Sequence, residues 1–215
     1  MRIDDIRWNL SADVNWEVIN EEVLAWANIG RAYWDVSLDR IGDHLDYKRV
    51  IRHYVRHMHD QFEPYGTGLF LHGPFGSGKT SLACYVLRYC LARGGRSFFI
   101  RAQDLIRSVE SFNTIYVREG VPIEEMAKKV TMLAIDDVDL LDPKLKHVET
   151  IMRWRDDNDL TTIVTSNLAA NEKKSTQERS LGDWVRSVAA QRLIGVQIVG
   201  PSDGGYDWRR DPPQE

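Results

Sequence analysis

Cysteine is almost missing from this chain: Cys84 and Cys90 are the only two in 215 residues. Six positions apart in a stretch of helical period, they fit neither a disulfide framework nor paired-cysteine zinc spacing. A disulfide-stapled scaffold is excluded, and both thiols read as core residues in a reduced compartment. Long apolar runs are missing too. No stretch approaches the roughly 18 residues of a membrane span, and residues 1–8 lack the apolar core of a signal peptide, so a soluble cytoplasmic protein with no membrane contact is expected. Nor is there an excess of positive charge. The 28 Lys and Arg face 32 Asp and Glu, a net charge of −4, so any nucleic-acid contact must be local. No internal repeat is found.

With 43% hydrophobic residues, the chain can bury one substantial core. Five short β-rich runs alternate with stretches of helical period: 68–72, 97–100, 130–135, 160–165 and 196–199. That alternation predicts an α/β fold, a parallel five-stranded sheet flanked by helices. Two segments lie outside it. Residues 1–28 hold Trp8, Trp16 and Trp26 among acidic residues, and the spacing of Val14, Val18, Val23 and Leu24 suggests a short helix, either packed on its own domain or offered to a partner. Residues 201–215 are turn-rich and read as a flexible tail. The α/β core is expected over 29–200.

The run Gly73, Pro74, Phe75, Gly76, Ser77, Gly78, Lys79, Thr80, continuing to Ser81, satisfies the P-loop pattern between a strand and a helix. There the glycines let backbone N–H groups wrap phosphates, Lys79 neutralises the β/γ-phosphates, and the Thr80 hydroxyl ligates Mg²⁺. Such a loop calls for a carboxylate at the end of another buried strand. Asp136 supplies it as the second Mg²⁺ ligand, and Asp137 is placed to polarise water. Asn167 follows the fourth run and orients that water if its strand lies beside the carboxylates; an Asn there is otherwise a turn residue. No Asn-Lys-x-Asp run is present, so adenine, and ATP, is the default.

Taken together, residues 29–39, 69–83, 133–138 and 162–168 resemble the AAA+ helicase loaders of the DnaC/IstB-type branch. The resemblance covers roughly residues 29 to 200. It implies Walker A roles for Lys79 and Thr80, Walker B roles for Asp136 and Asp137, and a sensor 1 role for Asn167. It further implies that Arg192 is an arginine finger reaching the ATP site of a neighbouring subunit, with Arg186 the substitute. From the residues alone, Arg192 is a helix-end arginine beyond an apolar face of Trp184, Val185, Val188 and Ala189. Residues 201–215 leave a lid that is minimal or absent, with Arg209 and Arg210 as sensor 2 candidates. The resemblance implies a homo-oligomer with ATP between subunits, engaging a replicative helicase and single-stranded DNA in replication initiation. A transposition helper ATPase on the IstB side, or a binding switch that scarcely hydrolyses ATP, are the alternatives. A small-molecule kinase is disfavoured, because the sequence offers no second basic cluster for an acceptor phosphate.

Arg49, Arg52 and Arg56, with Lys48, His53 and His57, form a basic helix that is either a solvated face or a phosphate contact. Lys128, Lys129 and the stretch 112–118 are further DNA candidates. His53 and His57 lie four apart, but no Glu sits between them in a metalloprotease pattern.

Overall fold

In the computed structural model the described residues are 10–38, 46–110, 120–139, 143–167 and 192–198. Five strands make one sheet: β1 Gly68–His72, β2 Ser97–Arg101, β3 Met132–Asp136, β4 Thr161–Ser166 and β5 Leu193–Gln197. Their order is β2-β3-β4-β1-β5, and every pairing is parallel. β3 and β4 are buried along their whole length, as strands covered on both faces must be.

Alternation along the strands sorts side chains into two cores. Leu69, Leu71, Phe99, Met132, Ala134, Ile163 and Val196 face one side. They meet α2 (Asp46–Arg56) through Ile51, Tyr54 and Val55 and α3 (Lys79–Ala92) through Leu82, Val86 and Leu87. Phe70, Phe98, Ile100, Leu133, Ile135 and Val164 face the other. There they pack on α4 (Ala102–Glu110), α5 (Ile123–Lys129) and α6 (Lys146–Asp157).

Residues 10–28 belong to the first core. Leu10, Leu24 on α1 (Glu21–Trp26) and Ala27 are buried in it. The Phe99 N–H donates to the Ala27 carbonyl at 2.9 Å, and the Asn28 amide donates to the Phe99 carbonyl at 2.8 Å from a left-handed turn at φ 57°. The segment thus covers the free edge of β2, and residue 28 is no boundary in the packing. Arg93 fastens it: the buried guanidinium donates to the carbonyls of Ser11 and Ala12 and to Val55 and Arg56 at the end of α2.

Two sequence expectations shift, and the reading of both cysteines as core residues holds. The fifth strand starts at Leu193 rather than Val196, because Leu193 and Ile194 pair with Gly68 and Leu69 of β1. Lys48 turns inward and is buried, so the basic face of α2 comprises Arg49, Arg52 and Arg56, with Arg49 paired to Asp46 at 3.7 Å. Cys84 and Cys90 are buried free thiols, and burial pushes both thiol pKa values up. Arg186, Arg209, Arg210, the stretch 112–118 and the tail 201–215 lie outside the described residues.

Candidate functional site

The P-loop joins β1 to α3. Gly73 takes φ 151° because the Ile198 carbonyl passes so close that an added Cβ would sit 2.1 Å from it; only glycine fits. Gly78, left-handed at φ 89°, turns the chain into α3. Lys79 folds back over the loop, its ammonium donating to the carbonyls of Gly73 at 2.9 Å and Pro74 at 2.8 Å. Ser77 is buried and its hydroxyl has no hydrogen-bond partner among the described residues. Phe75, at the crest, is 76% exposed.

Across the cleft, β3 ends at Asp136 and β4 at Ser166, in adjacent strands. Thr80 Oγ1 donates towards the Asp136 carboxylate, at 3.0 Å from Oδ1 and 3.2 Å from Oδ2. Thr165 Oγ1 donates to Asp136 Oδ1 at 2.7 Å and accepts from the Asp137 N–H at 2.9 Å. Two more bonds, Val138 N–H to the Thr165 carbonyl and the Ser166 hydroxyl to the Val138 carbonyl, each 2.8 Å, stitch the acidic turn to β4. That turn is left-handed at Asp137, φ 57°, a conformation that costs free energy and recurs at functional sites. The Asn167 amide donates to Asp137 Oδ1 at 3.1 Å.

Burial raises the Asp136 pKa; hydrogen bonds from Thr165 and Thr80 oppose the rise, Asp137 adds to it, and Arg101 counters it. A carboxylate desolvated beside a second one gains from a cation. Thr80 and Asp136 together present hard oxygen donors side by side, a set that suits Mg²⁺.

These residues line a cleft of about 880 Å³. Its other walls were not foreseen. One is the segment around Arg31, Tyr33, Asp35 and Val36, held to α3 by the Arg88 guanidinium donating to the Val36 carbonyl at 2.8 Å. The second is the end of β2 and first turn of α4, with Arg101, Gln103, Asp104 and Arg107. Arg31, Arg101 and Arg107, scattered in sequence, line the same cleft as Lys79. Only the strand order, which sets the end of β2 beside Asp136, reveals it.

Arg192 stands elsewhere. It precedes β5, at the end of the sheet opposite the P-loop. Its guanidinium bonds Asp159 at 2.9 Å, Asp156 at 3.3 Å and the Tyr65 carbonyl, with the side chain 37% exposed. It does not reach its own subunit's cleft. Among the described residues no cluster of His, Cys, Asp and Glu is arranged to hold a metal in the manner weighed for His53 and His57; these two rings lie 4.7 Å apart, and His57 faces Asp60. No described helix is long and apolar enough to cross a membrane.

No protein-family model and no curated protein matches the sequence. Solved structures do match in fold. A structure of DnaI is 21% identical, with 85% of this chain and 93% of that one covered at a TM-score of 0.61. The DnaC helicase loader is 23% identical over 79% of this chain and 99% of that one, TM-score 0.54. The replication initiator DnaA bound to AMPPCP and single-stranded DNA is 20% identical over 76% of this chain and 49% of that one, TM-score 0.56. The chain has the P-loop AAA+ fold.

Proposed function

We propose that this chain, with its AAA+ fold, binds and hydrolyses ATP as a helicase loader in DNA replication initiation. It assembles with copies of itself on single-stranded DNA and engages a replicative helicase. The observation that carries the ATPase reading is the joint of Thr80 and Asp136 at 3.0 and 3.2 Å, with Asp137 and Asn167 paired at 3.1 Å on the next strand end. The loader reading is supported by likeness to a DnaC helicase loader and to DnaI. The initiator with bound nucleotide and single-stranded DNA supports both ligands.

The chemistry divides among the residues. Backbone N–H groups from Gly76 to Thr80 and the start of α3 hold the phosphates. Lys79 exchanges its two carbonyl partners for phosphate oxygens. Thr80 and Asp136 would hold Mg²⁺, which supplies charge neutralisation at the β/γ-phosphates when bound. Asp137 accepts a proton from the attacking water, and Asn167 fixes the carboxylate that does so. Arg192 of an adjoining copy stabilises charge on the transferring phosphoryl group, a contribution of roughly 10³ to 10⁵ in rate where such arginines act; Asp156 and Asp159 hold its guanidinium in place.

Phosphate release with Mg²⁺ and ATP tests the ATPase reading. Asp137→Asn should bind ATP within about threefold of wild type and turn over at least roughly a hundredfold more slowly, the signature of a group acting only in the transition state. Equal turnover in both proteins contradicts it. Light scattering with ATP, single-stranded DNA and a replicative helicase tests the loader reading; a stable ternary assembly is expected, and its absence with ATPase activity intact removes that role.

A further inference from the structure

We infer that Arg101 binds the terminal phosphate of the nucleotide from within its own subunit, so that this chain separates triphosphate from diphosphate before any neighbour contributes. The inference rests on the ATP-site reading above.

Among the described residues four cations line the cleft, Arg31, Lys79, Arg101 and Arg107, and four carboxylates, Asp35, Asp104, Asp136 and Asp137. Lys79 lies in the loop that cradles the inner phosphates. A third phosphate extends beyond the loop towards Asp136 and Asp137; beside Lys79 and the Mg²⁺ that Thr80 and Asp136 would hold, a further cation on that side adds an attraction that a diphosphate is too short to meet. Of the other three, Arg31 stacks over Trp34 with 5.4 Å to the ring centroid and lies 3.9 Å from Glu21. Arg107 pairs with Asp104 at 3.5 Å. The Arg101 side chain has no hydrogen bond or ion pair among the described residues, and its charge acts on the Asp136 carboxylate.

Its position is set by the sheet. Arg101 is the last residue of β2 and in register with Asp136, one strand spacing of roughly 4.8 Å away. It shares the alternation of Phe99, as Asp136 shares that of Ala134, and both Phe99 and Ala134 face the α3 core. Arg101 and Asp136 therefore project to the same face, the one from which Thr80 reaches Asp136. An exposed arginine ending an edge strand is ordinarily a solvated charge; this one stands at the mouth of a cleft, beside the acids that a terminal phosphate must approach. Its planar fork suits two phosphate oxygens at once.

Calorimetric titration with Mg²⁺-AMPPCP and with Mg²⁺-ADP tests this, in an Arg192→Ala background so that no neighbour's finger contributes. Arg101→Gln should weaken AMPPCP binding about tenfold or more and leave ADP within about twofold, with Arg101→Lys in between. ADP binding also reports that the variant is folded. If Arg101→Gln weakens both nucleotides equally, or neither, this inference is overturned and the ATP site stands. If the protein with Arg101 intact binds neither nucleotide, the ATP-site reading falls and takes this one with it.

Discussion

The Thr165 hydroxyl stands between the two acids of the site, donating to the Asp136 carboxylate and accepting from the Asp137 N–H. Its removal leaves a buried carboxylate oxygen one partner short and frees the turn that aims Asp137. Thr165→Val, which keeps the shape, should cost about 1–3 kcal/mol of stability and lower turnover more than ATP affinity; denaturant unfolding and steady-state kinetics check the two effects separately. The meeting of Lys79, Thr80 and Asp136 in one cleft was legible in the sequence from local spacing and from the end of one buried run. Thr165 was not, although it lies two residues before Asn167 in the same run: a hydroxyl inside a β-branched strand looks like strand propensity until β3 and β4 are known to be neighbours. Arg101 was hidden for the same reason, since its meaning depends on a register between strands and on nothing in its own vicinity.

Among the elements, α6 is fastened by a buried cation with no carboxylate partner among the described residues. Arg155 is fully buried. It donates to the carbonyls of Ala127, Lys128 and Val130 at the end of α5, to those of Thr131 and Thr161 at the starts of β3 and β4, and to the Thr162 hydroxyl. Burial lowers its pKa to about 9, so it stays charged at neutral pH, and the six acceptors together offset the lost hydration. Arg155→Lys cannot span them; we expect a loss of about 3 kcal/mol or more, read as a lower urea midpoint at unchanged slope. Val148, Ile151, Met152 and Arg155 are the buried face of α6; in the sequence an arginine at the end of an apolar stripe looks like its polar end, and only the carbonyls converging on it show otherwise. In α3, Cys84 and Cys90 are buried with raised pKa values. An aromatic disulfide reagent should label neither in the native protein at neutral pH and both after unfolding; rapid native labelling would mean that α3 opens from the sheet.

At the scale of the molecule, the sheet separates two chemistries by its own length. The P-loop and acids lie at the carboxyl ends of the strands, while Arg192, Asp156 and Asp159 lie at the other. The five-stranded parallel sheet was legible from alternation of runs and periods. The start of β5 was not, because Leu193-Ile-Gly195 carries a weak strand signal and is fixed by pairing with β1. Segment 10–28 likewise revealed its place only through contacts far away in the chain, at Phe99 and Arg93. If one subunit's Arg192 completes another's cleft, activity belongs to pairs of subunits. The direct test mixes two inactive variants, Lys79→Ala, which keeps the finger and loses the nucleotide site, and Arg192→Ala, which does the reverse. Each alone should hydrolyse ATP at least roughly a hundredfold more slowly than wild type, and the mixture should recover a substantial fraction of wild-type turnover. A mixture no faster than the sum of its parts would contradict a shared site.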